Sequence, residues 1–229
     1  MAKRGSKELR YDFHTHTFLS DGELSPIELI NRARALGHAA VVPSDHVGLG
    51  NVETVVKQLV TDCRLAEEEW DIFALPGVEI THVPPATLDK VVRAARKAGA
   101  EIVVVHGETI VEPVPEGTND AAVSNGDVDV LAHPGPLTVE QAEAAKANGV
   151  FLEITTRRGH SLTNGHVARV GREVGCEFVL DSDAHAPSDL VPYALAKKAA
   201  LGATFQPKEL DSILREWPRK LLRRAGRKV

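Results

Sequence analysis

The chain is short of sulfur, aromatic rings, positive charge and long apolar runs, and each shortage closes off a class of protein. Its two cysteines, Cys63 and Cys176, lie far apart with no metal-ligand spacing. They make no disulfide framework and are expected as reduced packing residues of a cytoplasmic protein. No apolar stretch approaches the ~20 residues needed to cross a bilayer, so no membrane partner is expected. The opening Met1-Ala2-Lys3-Arg4-Gly5-Ser6-Lys7 is basic, but no apolar region follows, and no signal peptide is expected. Lys plus Arg number 27 against 32 for Asp plus Glu, a net charge of −5. The basic field of a dedicated nucleic-acid binder is therefore missing. An aromatic content of 4% also leaves little surface for stacking bases. No Pro-, Gly- or Ser-rich linker divides the chain.

What remains is ordinary for a globular protein: 229 residues, 43% hydrophobic and 26% charged. An α/β barrel fills about 200–250 residues as one domain, so a single unit over 1–229 is expected. Its core is placed at about 10–205 and a C-terminal helix at about 207–223. The one excess is histidine, of which there are ten.

Capping residues mark the helices. Ser25-Pro26-Ile27-Glu28 reads as a capping box with proline at the first helical position, and Gly37 follows the helix it opens. Thr138-Val139-Glu140-Gln141 opens another that ends at Asn148-Gly149. Further helices are expected near 52–69, 86–98, 164–174, 188–201 and 207–223. Between them lie short β-branched runs, near 10–14, 39–44, 72–80, 101–106, 128–132, 150–155 and 177–182. Runs such as Ile102-Val103-Val104-Val105 are apolar enough for parallel strands buried on both faces. Strand–helix alternation of this kind makes a (β/α) barrel or a doubly wound sheet. The long irregular stretch is 107–119, after a strand, where barrels keep their functional loops.

Ligand-type side chains fall at the strand exits. The first strand leaves through His14-Thr15-His16 and Ser20-Asp21-Gly22, the second through Ser44-Asp45-His46, the third through Glu79. His106, His133-Pro134 and Asp183-Ala184-His185 close three others. In a parallel barrel these exits share one rim, and side chains two apart on a strand share a face. Imidazoles and carboxylates converging from six strands suit divalent transition ions such as Zn, Mn or Fe, and argue against an all-Mg site.

In this order, His14-Thr15-His16, Ser20-Asp21-Gly22, Ser44-Asp45-His46, Glu79, His106, Ala132-His133-Pro134 and Ser182-Asp183-Ala184-His185 match the motifs of the polymerase and histidinol phosphatase (PHP) superfamily. The sequence resembles that family over about 12–190. Two departures are Ser44, where many members carry Thr, and Thr155 after Glu153-Ile154, where many carry Asn. The resemblance implies a distorted (β/α)7 barrel with two or three metal ions in its rim. The first ion would take His14, His16, Glu79 and Asp183. The second would take Glu79, His106 and His133, and the third Asp21, His46 and His185.

The implied chemistry is direct hydrolysis of a small phosphomonoester, histidinol phosphate or a nucleotide-like compound, without a covalent intermediate. Bound ions acidify a water to a pKa of about 7, and it attacks phosphorus. Glu79 and Asp183 are expected at the reaction centre. Arg157, Arg158 and His160, beyond the sixth strand, are candidates for phosphate or leaving-group contact. His82 and His160 are possible mouth residues. His166 is another, although its place at a helix start favours a structural role. His38 is expected to be structural. Asp45 and Asp181 are candidates for orienting ligand histidines, with a loop cap as the alternative for Asp45. Asn119 and Asn164 read as loop or cap residues.

Three other functions fit part of the pattern. One is a PHP-type exonuclease or phosphodiesterase, and another a non-catalytic RNA-binding barrel like the archaeal ribonuclease P protein. Acidic charge and the intact ligand set weigh against nucleic acid as the partner of either. The third is amide hydrolysis, because amidohydrolases also begin with His-x-His. The helical pattern names no oligomeric state.

Overall fold

The computed structural model describes residues 8–229, and the basic segment 1–7 lies outside the described residues. The strands are β1 (Arg10–Thr15), β2 (His38–Pro43), β3 (His46–Val47), β4 (Phe73–Ala74), β5 (Gly77–Ile80), β6 (Ile102–His106), β7 (Val130–Ala132), β8 (Phe151–Thr155) and β9 (Phe178–Asp181). The α-helices are α1 (Pro26–Ala35), α2 (Val52–Glu69), α3 (Leu88–Ala98), α4 (Thr118–Val123), α5 (Val139–Asn148), α6 (Asn164–Val174), α7 (Tyr193–Gly202) and α8 (Trp217–Arg224).

All strand pairs are parallel, in the orders β1-β2-β4 and β3-β5-β6-β7-β8-β9. The two groups are one ring. Val41 opposes Ala74 and His46 opposes Glu79 without a change of register, so β2–β3 and β4–β5 are each a single interrupted stave. At the other seam Asp183 N–H donates to His14 O at 2.8 Å and His16 N–H to Ala184 O at 2.8 Å, joining β9 to β1. The result is the seven-staved distorted (β/α)7 barrel expected from the sequence.

Strand parity then puts chemistry above packing. Ile102, Val104, Val130, Ala132, Phe151 and Val179 form one buried cluster. His106 shares a face with Ile102 and Val104, and Glu153 shares one with Phe151, because alternate residues point the same way. The other faces of these strands bury Val103, Val105, Leu152, Leu180 and Phe178 against the helices.

Local signals hold with four adjustments. Ser25 Oγ accepts from Glu28 N–H at 3.3 Å, but Glu28 turns to Arg32, so the reciprocal bond of a capping box is missing there. Thr138 and Gln141 make both bonds. The stretch 107–119 stays irregular only to Gly117, where α4 begins. That helix has six residues and a left-handed glycine at its N-cap with no side-chain cap, so neither periodicity nor capping announces it. The helix expected from 188 starts at Tyr193, because Pro192 separates it from a single 3-10 turn at Pro187–Asp189. The expected 207–223 helix is a 3-10 turn, a π turn at Ser212–Glu216 and α8. No helix among the described residues is long and apolar enough to cross a membrane.

Gly135 binds two exit loops together. Its φ is +65°, and a Cβ there would collide with the carbonyl of Glu108. Gly135→Ala is therefore expected to destabilise the fold by at least about 2 kcal/mol, from left-handed strain plus overpacking. Denaturant unfolding should show a lower midpoint at unchanged slope.

Candidate metal centre

Exit geometry brings the predicted ligands into one cleft of about 260 Å³, lined by Asp21, His46, Glu79, His106, His133, Asp183 and His185, with His82, Glu112, Arg157 and His160. His14 and His16 form its floor contacts. His14 Nε2 lies 3.3 Å from Glu79 Oε1 and 3.7 Å from Asp183 Oδ1, and His16 Nε2 lies 3.2 Å from Asp183 Oδ1. His133 Nε2 is 3.5 Å from Glu79 Oε1. On the outer side, Asp21 lies 3.5 Å from His46 Nε2 and 3.2 Å from His185 Nε2. Two ligands held about 2.1 Å from a tetrahedral ion stand about 3.4 Å apart, so these are the spacings of ligands around a shared cation.

The buried donors give an independent test of fit. His14 Nε2, both ring nitrogens of His16 and Glu79 Oε1 have no hydrogen-bond partner among the described residues, although all three side chains are fully buried, and Glu79 Oε2 lies 2.7 Å from His46 Nδ1. Buried polar groups are otherwise almost always paired. The described residues form several groups whose ligand atoms lie within 4.8 Å of one another: His14/Glu79/His133, His14/His16/Asp183 and His16/Asp21/His46/His185 among them. His106 joins His82 and Glu112 instead.

Charge and burial oppose each other here. Burial alone would push His14 down, but Glu79, Glu153 and Asp183 around it raise it well above the ordinary histidine range. His46 is likewise raised to about 10 against its burial, by Glu79 and Asp21. Burial, with His133, His82 and His46 nearby, takes His106 down to about 3. Burial also lowers His16, with His46 adding to it. Burial works to raise the Glu79 and Asp183 carboxyls, yet the surrounding imidazoles hold both below the usual carboxylate range.

The backbone is strained at this rim. His133 and Asp183 have φ of +26° and +51°, and His82 has +53°. Such values in residues with a side chain persist where the surroundings enforce them.

The supporting residues differ from the expectation. Asp45 holds a loop, accepting from Thr17 N–H, Thr17 Oγ1 and Ser20 Oγ. Asp181 accepts from Phe13 N–H. Neither carboxylate bonds a histidine: Asp45 takes the loop-cap alternative, and the expected part of Asp181 in orienting a ligand is corrected. Glu153 does that work: Oε1 is 2.7 Å from His14 Nδ1 and Oε2 accepts from His133 N–H at 2.8 Å. Its signal was available, since it stands at the exit of β8 between two apolar residues. Glu112 was missed because it lies in the irregular loop, where no periodicity fixes direction. Arg157 lines the cleft and pairs with Asp189 at 3.3 Å. Arg158 lines only a neighbouring depression of about 850 Å³, which also contains Arg157 and Lys198. His160 Nδ1 is 2.8 Å from Thr109 Oγ1. His166 bonds the Leu137 carbonyl, away from the cleft, and His38 lies buried beside Asp12. Asn119 and Asn164 pin loops, through Glu108 and Pro134 and through Thr155.

Comparison with known proteins bears on the same rim. No protein-family model matches the chain. It is 49% identical to the uncharacterized protein MJ1295 of Methanocaldococcus jannaschii, over 94% of this chain and all of that one. It is 28% identical to the probable phosphatase TTE1963 of Caldanaerobacter subterraneus, over 80% of this chain and 79% of that one. The folds of a candidate histidinol phosphatase from Listeria monocytogenes and of a Bacteroides vulgatus protein containing a "predicted PHP-like metal-dependent phosphoesterase" superpose with TM-scores of 0.58 and 0.51. Identities are 12% and 18%, coverage of this chain is 79% in both cases, and coverage of those chains is 97% and 53%. The chain resembles the PHP superfamily in its fold and in the order of its strand-exit motifs. It shares a family with the M. jannaschii protein. It is also 29% identical to ribonuclease P protein component 3 of Methanococcoides burtonii, over 93% of this chain and 87% of that one.

Glu153→Gln keeps shape but removes the charge behind His14. Loss of such a supporting carboxylate costs about 10- to 100-fold in metal affinity. Competition with a chelator should read that loss, while circular dichroism stays unchanged.

Proposed function

We propose that this PHP-like protein hydrolyses small phosphomonoesters, with His14, His16, Asp21, His46, Glu79, His106, His133, Asp183 and His185 as ligands of two or three divalent ions. The observation that carries this reading is the set of fully buried ring nitrogens of His14 and His16 and the Glu79 Oε1 oxygen, unpartnered among the described residues and gathered from separate strand exits. Glu79 faces His14, His46 and His133 at once, which suits it to bridge two ions. Mixed imidazole and carboxylate donors favour Zn, Mn or Fe. When bound, the ions supply an acidified water as nucleophile and neutralise charge on the phosphate oxygens.

The chain's own residues do the remaining work. Arg157 presents its guanidinium at the cleft wall, where it can take a phosphate oxygen. His160 is held by the 2.8 Å contact of its Nδ1 with the Thr109 hydroxyl, and in the tautomer protonated at Nε2 it can donate a hydrogen bond to phosphate or the leaving group. A cleft of about 260 Å³ takes a phosphate and little more, which favours a monoester over a chain threaded through it. The adjoining depression, reached past Arg157 and lined by Arg158, offers room for the leaving group. Cysteine chemistry is disfavoured: burial pushes the thiol of Cys176 up to about 11 and that of Cys63 higher than usual.

A second reading, RNA binding without catalysis, draws on the ribonuclease P protein relative. A panel of phosphomonoesters, oligonucleotides and structured RNA separates the two. Chelator should abolish phosphate release and Zn or Mn should restore it. Asp183→Asn and His14→Ala should each lower kcat/KM at least about a hundredfold while remaining folded, as loss of charge stabilisation at a reaction centre does. Full activity in either variant overturns the ligand assignment. RNA binding by protein that takes up no metal and releases no phosphate selects the second reading.

A further inference from the structure

A cleft of about 260 Å³ holds a phosphate and leaves the rest of a substrate outside it. What lies outside is the depression of about 850 Å³ that shares Arg157 with the cleft. That volume falls in the range of small-molecule sites, about 300–1,000 Å³. Its walls are the loop that follows β8, the exit of β9 and one side of α7.

Charge on those walls is one-sided. Arg157, Arg158 and Lys198 line the depression against a single carboxylate, Asp189, among the described residues. That carboxylate is already occupied. Asp189 Oδ2 accepts from Arg157 at 3.3 Å, from His185 N–H at 3.1 Å and from Ala186 N–H at 2.9 Å. Arg158 and Lys198 come from different elements, the β8 loop and α7, and both are exposed. Two cations thus border one space, with its carboxylate engaged elsewhere, in a chain whose net charge is −5.

Ser182, at the exit of β9, points the same way without carrying charge. It is 1% exposed and lines the depression, and its Oγ has no hydrogen-bond partner among the described residues. Buried hydroxyls are almost always paired, and this one offers a donor to an acceptor brought from outside. Beside the cations the surface is apolar. Leu162 and Leu195, 71% and 47% exposed, line the depression, one from the turn after β8 and the other from α7. Leu195 and Lys198 are three residues apart on that helix and so share a face.

We infer that this depression is a subsite for a leaving group that carries a second anionic group, a carboxylate or a phosphate, on a short apolar body. The inference rests on the phosphomonoesterase reading and narrows its substrate class. Arg158 and Lys198 take the second anion by charge-assisted hydrogen bonds, and the two leucines cover the apolar body. Arg157 stands at the boundary between the two anions. A leaving group bearing an ammonium, as histidinol does, meets two cations there and no free carboxylate to receive it. Of the substrates suggested by the sequence, the depression therefore disfavours histidinol phosphate.

The test supplies the protein with Zn²⁺ or Mn²⁺ and a series of alkyl phosphates of one chain length, ending in a methyl, a carboxylate, a second phosphate or an ammonium. The far end lies several bonds from the ester, so the leaving oxygen is the same throughout. The better anion-ended ester should show a kcat/KM at least about tenfold above that of the methyl-ended ester, the scale of one charge-assisted hydrogen bond. The ammonium-ended ester should fall below it. The gain should lie in KM, because a contact remote from phosphorus binds ground and transition states alike. Whichever anion gains more tells carboxylate from phosphate. The double variant Arg158→Gln/Lys198→Gln, changed at two exposed side chains, should bring the anion-to-methyl ratio toward one, and a ratio cancels any general loss of activity. A methyl-ended ester hydrolysed as well as both anion-ended ones, or an unchanged ratio in the double variant, overturns the subsite and leaves the phosphatase reading standing. Failure to hydrolyse any ester of the series overturns the phosphatase reading, and the subsite with it.

Discussion

Glu79 is a carboxylate with no exposure at all, set among His14, His16, His46 and His133 at 2.7–3.6 Å. Burying an unpaired charge of that kind costs several kcal/mol, so its surroundings are obliged to supply positive charge. Strand exits, loops and supporting hydrogen bonds around it follow from that demand. Imidazoles answer it in two ways, by taking protons themselves or by giving lone pairs to shared cations. Neighbouring carboxylates raise His14 and His46 while burial lowers His16 and His106, so charge and burial pull the rings of one rim in opposite directions.

A barrel suits this problem because its interior is layered. Ile102, Val104, Val130 and Phe151 seal the layer below, and the same strand faces continue upward into His106 and Glu153. His106 and Glu153 thus stand on packed apolar side chains that keep water from one side of the site. The cost is local backbone strain at His133 and Asp183, which lie just beyond their strands, where the chain turns back into helix. Glu153 helps hold that turn by accepting the His133 N–H while its other oxygen meets His14.

Strand–helix alternation and the rim were legible in the chain because both depend on short-range rules. Period-two alternation puts His14 beside His16, and parallel topology carries every strand exit to the same end. Capping residues located α1 and α5, whose caps are side-chain oxygens. The parts that stayed hidden depend on direction in space. α4 has no capping side chain, and Pro192 delays α7. Asp45 and Asp181 look like partners for histidine by proximity in sequence, yet the fold turns one to Thr17 and Ser20 and the other to Phe13 N–H. Glu153 was visible at its strand exit, but only the barrel reveals that it touches His14 and His133. Glu112 belongs to an irregular loop, so no pattern in the sequence points it toward His106.

The same geometry reconciles an acidic protein with an anionic substrate on the proposed reading. A net charge of −5 and carboxylates at Asp21, Glu79 and Asp183 would repel a phosphate from a bare cleft. At distances of a few ångström in a site of low dielectric, that repulsion amounts to several kcal/mol and outweighs any contact Arg157 could make alone. Two or three divalent ions bring four to six positive charges to the same volume and reverse its sign. Phosphate binding and metal binding are then one event electrostatically: the acidic ligands that exclude the substrate from the metal-free cleft are the groups that admit it once cations are held.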